Sequence, residues 1–423
     1  MTSAPRKNPI HVRILDCGMP LLVESMAGVR TAALSWLLPA GNASDPAGEA
    51  GEGWSTMLAE LAQRGAGTLD SRGFSDALDR AGVQRAVTPA TVHIVIGATT
   101  IGARINEALP LLADLVIRPH LPGDALDAVR SLAIQSLESL QDDPQHRVGL
   151  DLRARHLPPP FDRSGYGNRT AFERVTIDDL KGSWSQRVRP IGSILSVAGA
   201  VDADELAATL DGLLKNWHGT AGDVTADGAA LGGISHEEDD CNQTHIAMGL
   251  HAPSERDPES LHCRIATSIL GGETSSRLFT EVRERRSLCY SVSASYAGGR
   301  DRGMVSVYAG STPERAQETL DTIMRELERF EQGVTPDEFR RAIVGFRSRL
   351  VMQGESTAAR AAALGSDWYR LGRCRSLGEL STEVDSLTVD DLNAWISTSM
   401  GHAWRSALTL CTVGKAALST QLA

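Results

Sequence analysis

The sequence predicts an α+β fold of two homologous tandem domains, each an antiparallel sheet with helices packed on one face. Three observations predict it. Blocks of sequence recur at a nearly fixed spacing, a stretch rich in small residues separates the two copies, and within each copy strands cluster while helices follow in consecutive runs. A chain of 423 residues is also too long for one ordinary hydrophobic core.

The repeat is the firmest of the three. "VTIDDLKGSW" starts at Val175 and "LTVDDLNAWI" at Leu387, 212 positions later. "SILSVAG" from Ser193 answers "SALTLCT" from Ser406, at 213. "TAALSWLLPAGNASDP" from Thr31 answers "THIAMGLHAPSERDP" from Thr244 with one gap, and "LPGDALDAVRSLAIQSL" from Leu121 answers "GVTPDEFRRAIVGFRSRL" from Gly333, at 212. Chance repetition of an amphipathic pattern does not hold register over so much of both halves. Residues 219–240 are rich in Gly, Ala and Asp and poor in large apolar residues, which reads as a linker. The expected domains are therefore 1–220 and 241–423.

Each half runs through the same elements. A strand opens it ("AALSWLLPAG"; "HIAMGLHAP"), and a helix follows ("GWSTMLAELAQRG"; "LHCRIATSILGG"). Two further strands come next ("QRAVTPATVHIVIGATT"; "CYSVSASYAGGRDRGMVSVYAGS"). Long helices with apolar residues at i, i+3, i+4 and i+7 then appear, among them "ALDAVRSLAIQSLESLQ" and "PDEFRRAIVGFRSRLVM", before a final strand. "RHLPPPFDRSGYGNRT", residues 155–170, is a loop rich in helix breakers.

Composition excludes several roles. A net charge of −11 argues against nucleic acid or an anionic membrane surface as the main partner. No apolar run approaches the length of a membrane span, and the first twenty residues lack the apolar segment of a signal peptide, so the cytoplasm is the expected location. The six cysteines are scattered without a CxxC, as expected of free thiols in a reducing compartment. No Gly-x-Ser-x-Gly elbow or dinucleotide fingerprint is present, and "GGETSSR" lacks the Lys-Ser/Thr ending of a phosphate loop.

"LGGETSSRLFTEVRERRSLCYSVSASY", continued by "YAGSTPERAQETL" and "MRELERFEQGVTPDEFRRA", resembles the second-domain signature of the pitrilysin/insulinase-type zinc peptidases. The opening at residues 14–66, "QDDPQHR" at 141–147 and the duplication itself extend the resemblance over nearly the whole chain. It implies that the two domains form one lobe of a clamshell, the other lobe coming from the same polypeptide or from a separate homologous subunit. Active lobes of this family carry H-x-x-E-H on the first helix, with two histidines and a distant Glu on zinc and the motif's Glu polarising the attacking water. Here the motif aligns on "TMLAELAQRG". Thr56 and Glu60 stand at the two histidine positions, Ala59 at the general base, and Ser136 at the distant ligand. The expectation is that this chain holds no metal. His93, His120 and His146 lie in the same half, but none has a second His or Cys at ligand spacing.

The resemblance also implies a role for Arg283 and Tyr290, which match an Arg and a Tyr, seven positions apart, that reach into the zinc cleft of the facing lobe. Zinc would then lie in a homologous H-x-x-E-H partner subunit, and the substrate would be a peptide. A Tyr hydroxyl suits the oxyanion of peptide hydrolysis, and a guanidinium suits carbonyls or a carboxylate. Read from the residues alone, Arg283 could simply serve the negative end of a helix dipole, and Tyr290 could share a buried face with Val292, Ala294 and Tyr296. A scaffold or peptide-binding protein of the same fold is the alternative function.

Overall fold

The computed structural model describes residues 8–400, 404 and 408–419. Ser406 and Ala407, which open the second copy of the last repeated strand, lie outside the described residues.

The first sheet has six strands: β1 (Ile10–Ile14), β2 (Pro20–Ser25), β3 (Thr31–Leu38), β4 (Gln84–Pro89), β5 (Ile94–Ile101) and β6 (Ile194–Gly199), in the order β1-β2-β6-β3-β5-β4. The second has five: β7 (Ile234–Glu238), β8 (Thr244–Ala252), β9 (Cys289–Gly298), β10 (Gly303–Ser311) and β11 (Thr409–Gly414), in the order β9-β10-β8-β11-β7. Read from β4 and from β9 the two orders coincide, and the first sheet has one extra edge strand. The expected antiparallel pairing holds except at one matching place in each sheet, where β2 runs parallel to β6 and β7 parallel to β11.

The repeated "TIDDL" and "TVDDL" blocks fold alike. Thr176 and Thr388 are N-caps, and each closes a reciprocal capping box with the Asp three residues on, Asp179 and Asp391. One core fills the space between the inward face of the first sheet (Leu21, Val23, Trp36, Ile96, Val197) and its helices, among them α1 (Trp54–Ala62), α2 (Leu126–Ser139) and α4 (Ile177–Arg187). The second sheet has its own core, with Ile246, Met248, Val292, Val305 and Leu410 against helices that include α5 (Ser260–Thr267) and α6 (Pro336–Gly354).

The compact units depart from the contiguous 1–220 and 241–423 expected from the repeat. The first unit gathers residues 1–139, 159–227 and 352–378, and the second gathers 140–158, 228–351 and 379–423. Each sheet therefore has its second face covered by a helix drawn from the other half of the sequence. α7 (Thr357–Leu371) lies on β3 and β6, where Leu364 meets Leu22, Leu37 and Ile194. α3 (Pro144–His156) lies on β8 and β11, where Val148 and Leu152 meet Ala247, Cys411 and Val413. These strands are buried on both faces, which explains why "TAALSWLL" and "TLCTVG" show little polar alternation.

The α3 contact has a polar frame. Arg147 pairs with Glu237 at 3.3 Å and with Asp239, Asp151 accepts from Ser235, and Nδ1 of His156 lies 2.9 Å from Oγ1 of Thr409. Gly249 leaves room for that ring, since a Cβ there would come within 2.7 Å of Nδ1. Burial holds His156 below the ordinary histidine value of 6.5, with His251 adding to it, and burial does the same to His245 on β8. The stability carried by these neutral rings is complete above 6.5 and is lost as pH falls through their lower folded values. Amide protection factors across residues 144–156 are expected to fall between pH 7.5 and pH 5 by more than those across α7. Equal losses in the two helices would refute this.

Candidate functional site

Arg283 sits on a single wide turn, Phe279–Glu284, in which the amide of Arg285 donates to the carbonyl of Thr280 at 2.9 Å, an i→i−5 bond. Such π-turns are rare and are frequent at functional sites. The regular helix end expected from the sequence is thus replaced by a bulged one. The turn is stopped at Ser287, whose φ is +50°, and the amides of Ser287 and Leu288 donate back to the carbonyls of Arg283 and Val282. Val282 and Leu288 are buried beneath it.

Tyr290 is the second element. Along β9 and β10, Cys289 pairs with Ser311 and Ser291 pairs with Gly310, so Tyr290 is an extra residue, a β-bulge. The bulge corrects the simple alternation that would put Tyr290 on the buried face with Val292 and Ala294. Cys289 takes the inward position, at 9% exposure, and Tyr290 stands 77% exposed. Burial pushes the Cys289 thiol up to about 11, against the pull of the nearby Arg283 charge.

The two residues meet. The Arg283 guanidinium carbon lies 4.8 Å from the centre of the Phe279 ring and 5.6 Å from that of Tyr290. Aromatic faces on two sides orient the cation without neutralising it. Neither Arg283 nor the neighbouring exposed Arg286 has a carboxylate partner among the described residues, whereas Arg285 is paired with Glu281 at 2.6 Å. The result is an exposed Arg–Tyr pair at the edge strand of the second sheet, with hydrogen-bond donors free for an anionic or carbonyl oxygen. Gly271, of the Gly-Gly that precedes this segment, is where the chain presses on β9. A Cβ there would lie 2.5 Å from the Ala294 amide nitrogen. The sequence did not signal Phe279 as a member of the site; its place four residues before Arg283 on a helix was the available clue.

The residues at the degenerate metal positions lie on α1 and α2, which pack against each other. Thr56 donates its hydroxyl to the Gly165 carbonyl at 2.8 Å, and Ser136 donates its own to Leu132 at 3.0 Å. Ala59 is 2% exposed and is part of the core, and Glu60 is exposed, 4.0 Å from Arg64. One exposed carboxylate and two hydroxyls spent on backbone carbonyls do not fit catalytic zinc, which requires three converging protein ligands. The start of α1 is held by the buried Asp45, which accepts from the amides of Gly53 and Ser55 at 3.0 Å and pairs with Arg187 at 2.9 Å. His93 is buried edge-on to Tyr369, His120 lies on the Gly67 carbonyl at 2.9 Å, and His146 belongs to the other unit. Among the described residues no three His, Cys, Asp or Glu side chains gather as a metal site, and no helix is long and apolar enough to cross a membrane.

Comparison with known proteins places this geometry. Residues 174–345 match the family described as the peptidase M16 inactive domain. An uncharacterised zinc protease of Mycobacterium leprae is 25% identical over 416 residues, covering 96% of this chain and 93% of the relative. One from Mycobacterium tuberculosis strain H37Rv is 26% identical over 401 residues, covering 92% and 90%. Among solved structures, a peptidase M16 inactive domain from Pseudomonas fluorescens superposes with a TM-score of 0.87 at 18% identity, covering 97% of this chain and 99% of that one. A chain of complex III2 from Candida albicans superposes at 0.80 with 17% identity, covering 96% of each. These matches support the pitrilysin/insulinase-like resemblance: residues 174–345 match an M16 family model, and the fold is shared with M16-type structures over nearly the whole chain.

Proposed function

We propose that this chain is the non-catalytic subunit of a heterodimeric zinc metallopeptidase of the cytoplasm. It completes the active-site chamber of a homologous H-x-x-E-H subunit and helps to bind the peptide substrate. The observation that carries this reading is the contrast between its two candidate sites. The metal positions are occupied by Thr56, Ala59, Glu60 and Ser136, which cannot hold zinc, while Arg283 and Tyr290 are exposed, mutually oriented and unspent on any carboxylate. The metal and the attacking water belong to the partner. Tyr290 offers a hydroxyl to the oxygen on which charge develops, and Arg283 offers a planar fork to the peptide's carbonyls or carboxylate. The acidic surface, with net charge −11, suits basic peptides better than nucleic acid.

The test is reconstitution. A homologue that carries H-x-x-E-H, encoded beside this chain, is purified alone, and the two are then mixed with zinc. A 1:1 complex with peptidase activity that neither chain has alone supports the proposal. Full activity in the partner alone, or a failure of the two to associate, refutes it. The alternative, an inactive scaffold or peptide-binding protein, draws on the likeness to a chain of complex III2 from Candida albicans, at a TM-score of 0.80. It predicts peptide binding without cleavage in every combination.

A further inference from the structure

The bulge that carries Tyr290 is held from both sides by side chains that no sequence motif singles out. On the C-terminal side, Ser291 faces Gly310, and the hydroxyl of Tyr308, two residues before Gly310 on β10, lies 2.9 Å from Nδ1 of His245 on β8. The His245 and Tyr308 rings stack, with centres 6.1 Å apart. This contact ties β10 to β8 beside the position at which Ser291 pairs with Gly310. Gly310 itself is required there, since a Cβ would come within 2.9 Å of the Tyr308 hydroxyl and 3.4 Å of the Ser291 hydroxyl.

On the N-terminal side, the carbonyl of Leu288 accepts from the Ser311 hydroxyl at 2.6 Å and from Oγ1 of Thr319 at 3.3 Å. The single Thr319 proton has the Leu288 carbonyl, the Arg315 carbonyl at 2.9 Å and the Ser311 oxygen at 3.0 Å as alternative acceptors, and Ser311 and Thr319 are 2% and 0% exposed. This anchor keeps Leu288 and Cys289 inward, with Cys289 opposite Ser311. Ser311 and Gly310 are consecutive, while Cys289 and Ser291 are not, so one residue cannot be seated between the two anchors. That residue is Tyr290.

We propose that Tyr308 and His245 on one side, and Ser311 and Thr319 on the other, are positioning residues that extrude Tyr290 and aim it at Arg283. If either anchor is released, β9 can slip by one residue. A slip places Tyr290 on the face of Val292 and takes its hydroxyl away from the chamber. The inference rests on the reading of Tyr290 as the residue offered to a partner, but the geometry can be tested without a partner.

The chain has five tyrosines, few enough for fluorine NMR of protein labelled with 3-fluorotyrosine, with Tyr290→Phe assigning the Tyr290 signal. In the wild type, the Tyr290 resonance is expected to show the full solvent isotope shift of an exposed ring. In Tyr308→Phe combined with Ser311→Ala it is expected to move and to lose most of that shift. Tyr308→Phe alone, which removes one anchor and leaves Ser311 in place, is expected to give two exchanging Tyr290 signals. A Tyr290 signal unchanged in both variants overturns the proposal. A second readout is the reconstituted peptidase, where the double variant should lose about 10²-fold in kcat/KM and adding Tyr290→Phe should cost little more. Additive losses in that cycle would also overturn it. If reconstitution yields no activity at all, the functional reading fails while the fluorine spectra still decide the positioning claim.

Discussion

Arg360→Ala is expected to destabilise the first unit by about 3–5 kcal/mol, because it strands a carboxylate in the interior. Arg360 and Glu24 are 2% and 3% exposed, with Nη2 of the arginine 2.7 Å from Oε2 of the glutamate and Nε 2.8 Å from it. Glu24 lies on β2, beside the edge strand β1, and among the described residues its other oxygen takes only the side-chain amide of Asn8, at 3.3 Å. The loss should appear in urea denaturation as a lower midpoint, with protection lost first across residues 357–371. Replacing both partners by apolar residues of similar size, Glu24→Leu with Arg360→Met, should recover most of it, because the charge that needed the arginine is gone. A single Arg360→Ala change that costs less than about 1 kcal/mol, the usual worth of an exposed pair, would show that the pair is solvated after all.

The second large effect is expected at Tyr290. In the reconstituted complex, Tyr290→Phe should lower kcat by about 10²–10³-fold, the loss that follows removal of one oxyanion donor, while KM changes little. The ring stays, so the contact with Arg283 and the bulge should survive, and the change isolates the hydroxyl. Arg283→Lys should not restore the function lost in Arg283→Ala, since an ammonium has neither the planar face that lies against Phe279 and Tyr290 nor a two-pronged set of donors. Undiminished kcat in Tyr290→Phe would remove this residue from the chemistry and leave the chain a scaffold.

Much of this architecture could be read from the sequence, for identifiable reasons. The duplication survived as capping boxes and core spacings, which are local and repeat faithfully, as Thr176 and Thr388 do. The reading of the first helix as a degenerate metal motif rests on residue types alone: threonine and serine do not ligate zinc as histidine and glutamate do, and alanine cannot act as a base. Other features were hidden because they depend on register or on distant packing. An extra residue in β9 leaves the pattern of "CYSVSASY" looking regular, and only the partner strand reveals that Cys289, not Tyr290, takes the inward place. The sheet on which a helix rests is equally silent in its sequence. α3, "PQHRVGLDLRARH", has two fully buried apolar positions, Val148 and Leu152, which would suit either sheet.

The reciprocal loan of α3 and α7 has a consequence for how this protein can be made and unmade. If the coding sequence were cut at the linker, the front piece would expose Leu22, Leu37 and Ile194 and leave Glu24 without its cation, and the rear piece would bare Ala247 and Val413. Neither fragment is self-sufficient, so the duplicated halves cannot be shuffled, lost or inherited singly. A ribosome must deliver nearly the entire polypeptide before the first sheet is sealed, and a protease that nicks the connection before residue 357 should release both halves from the folded state together.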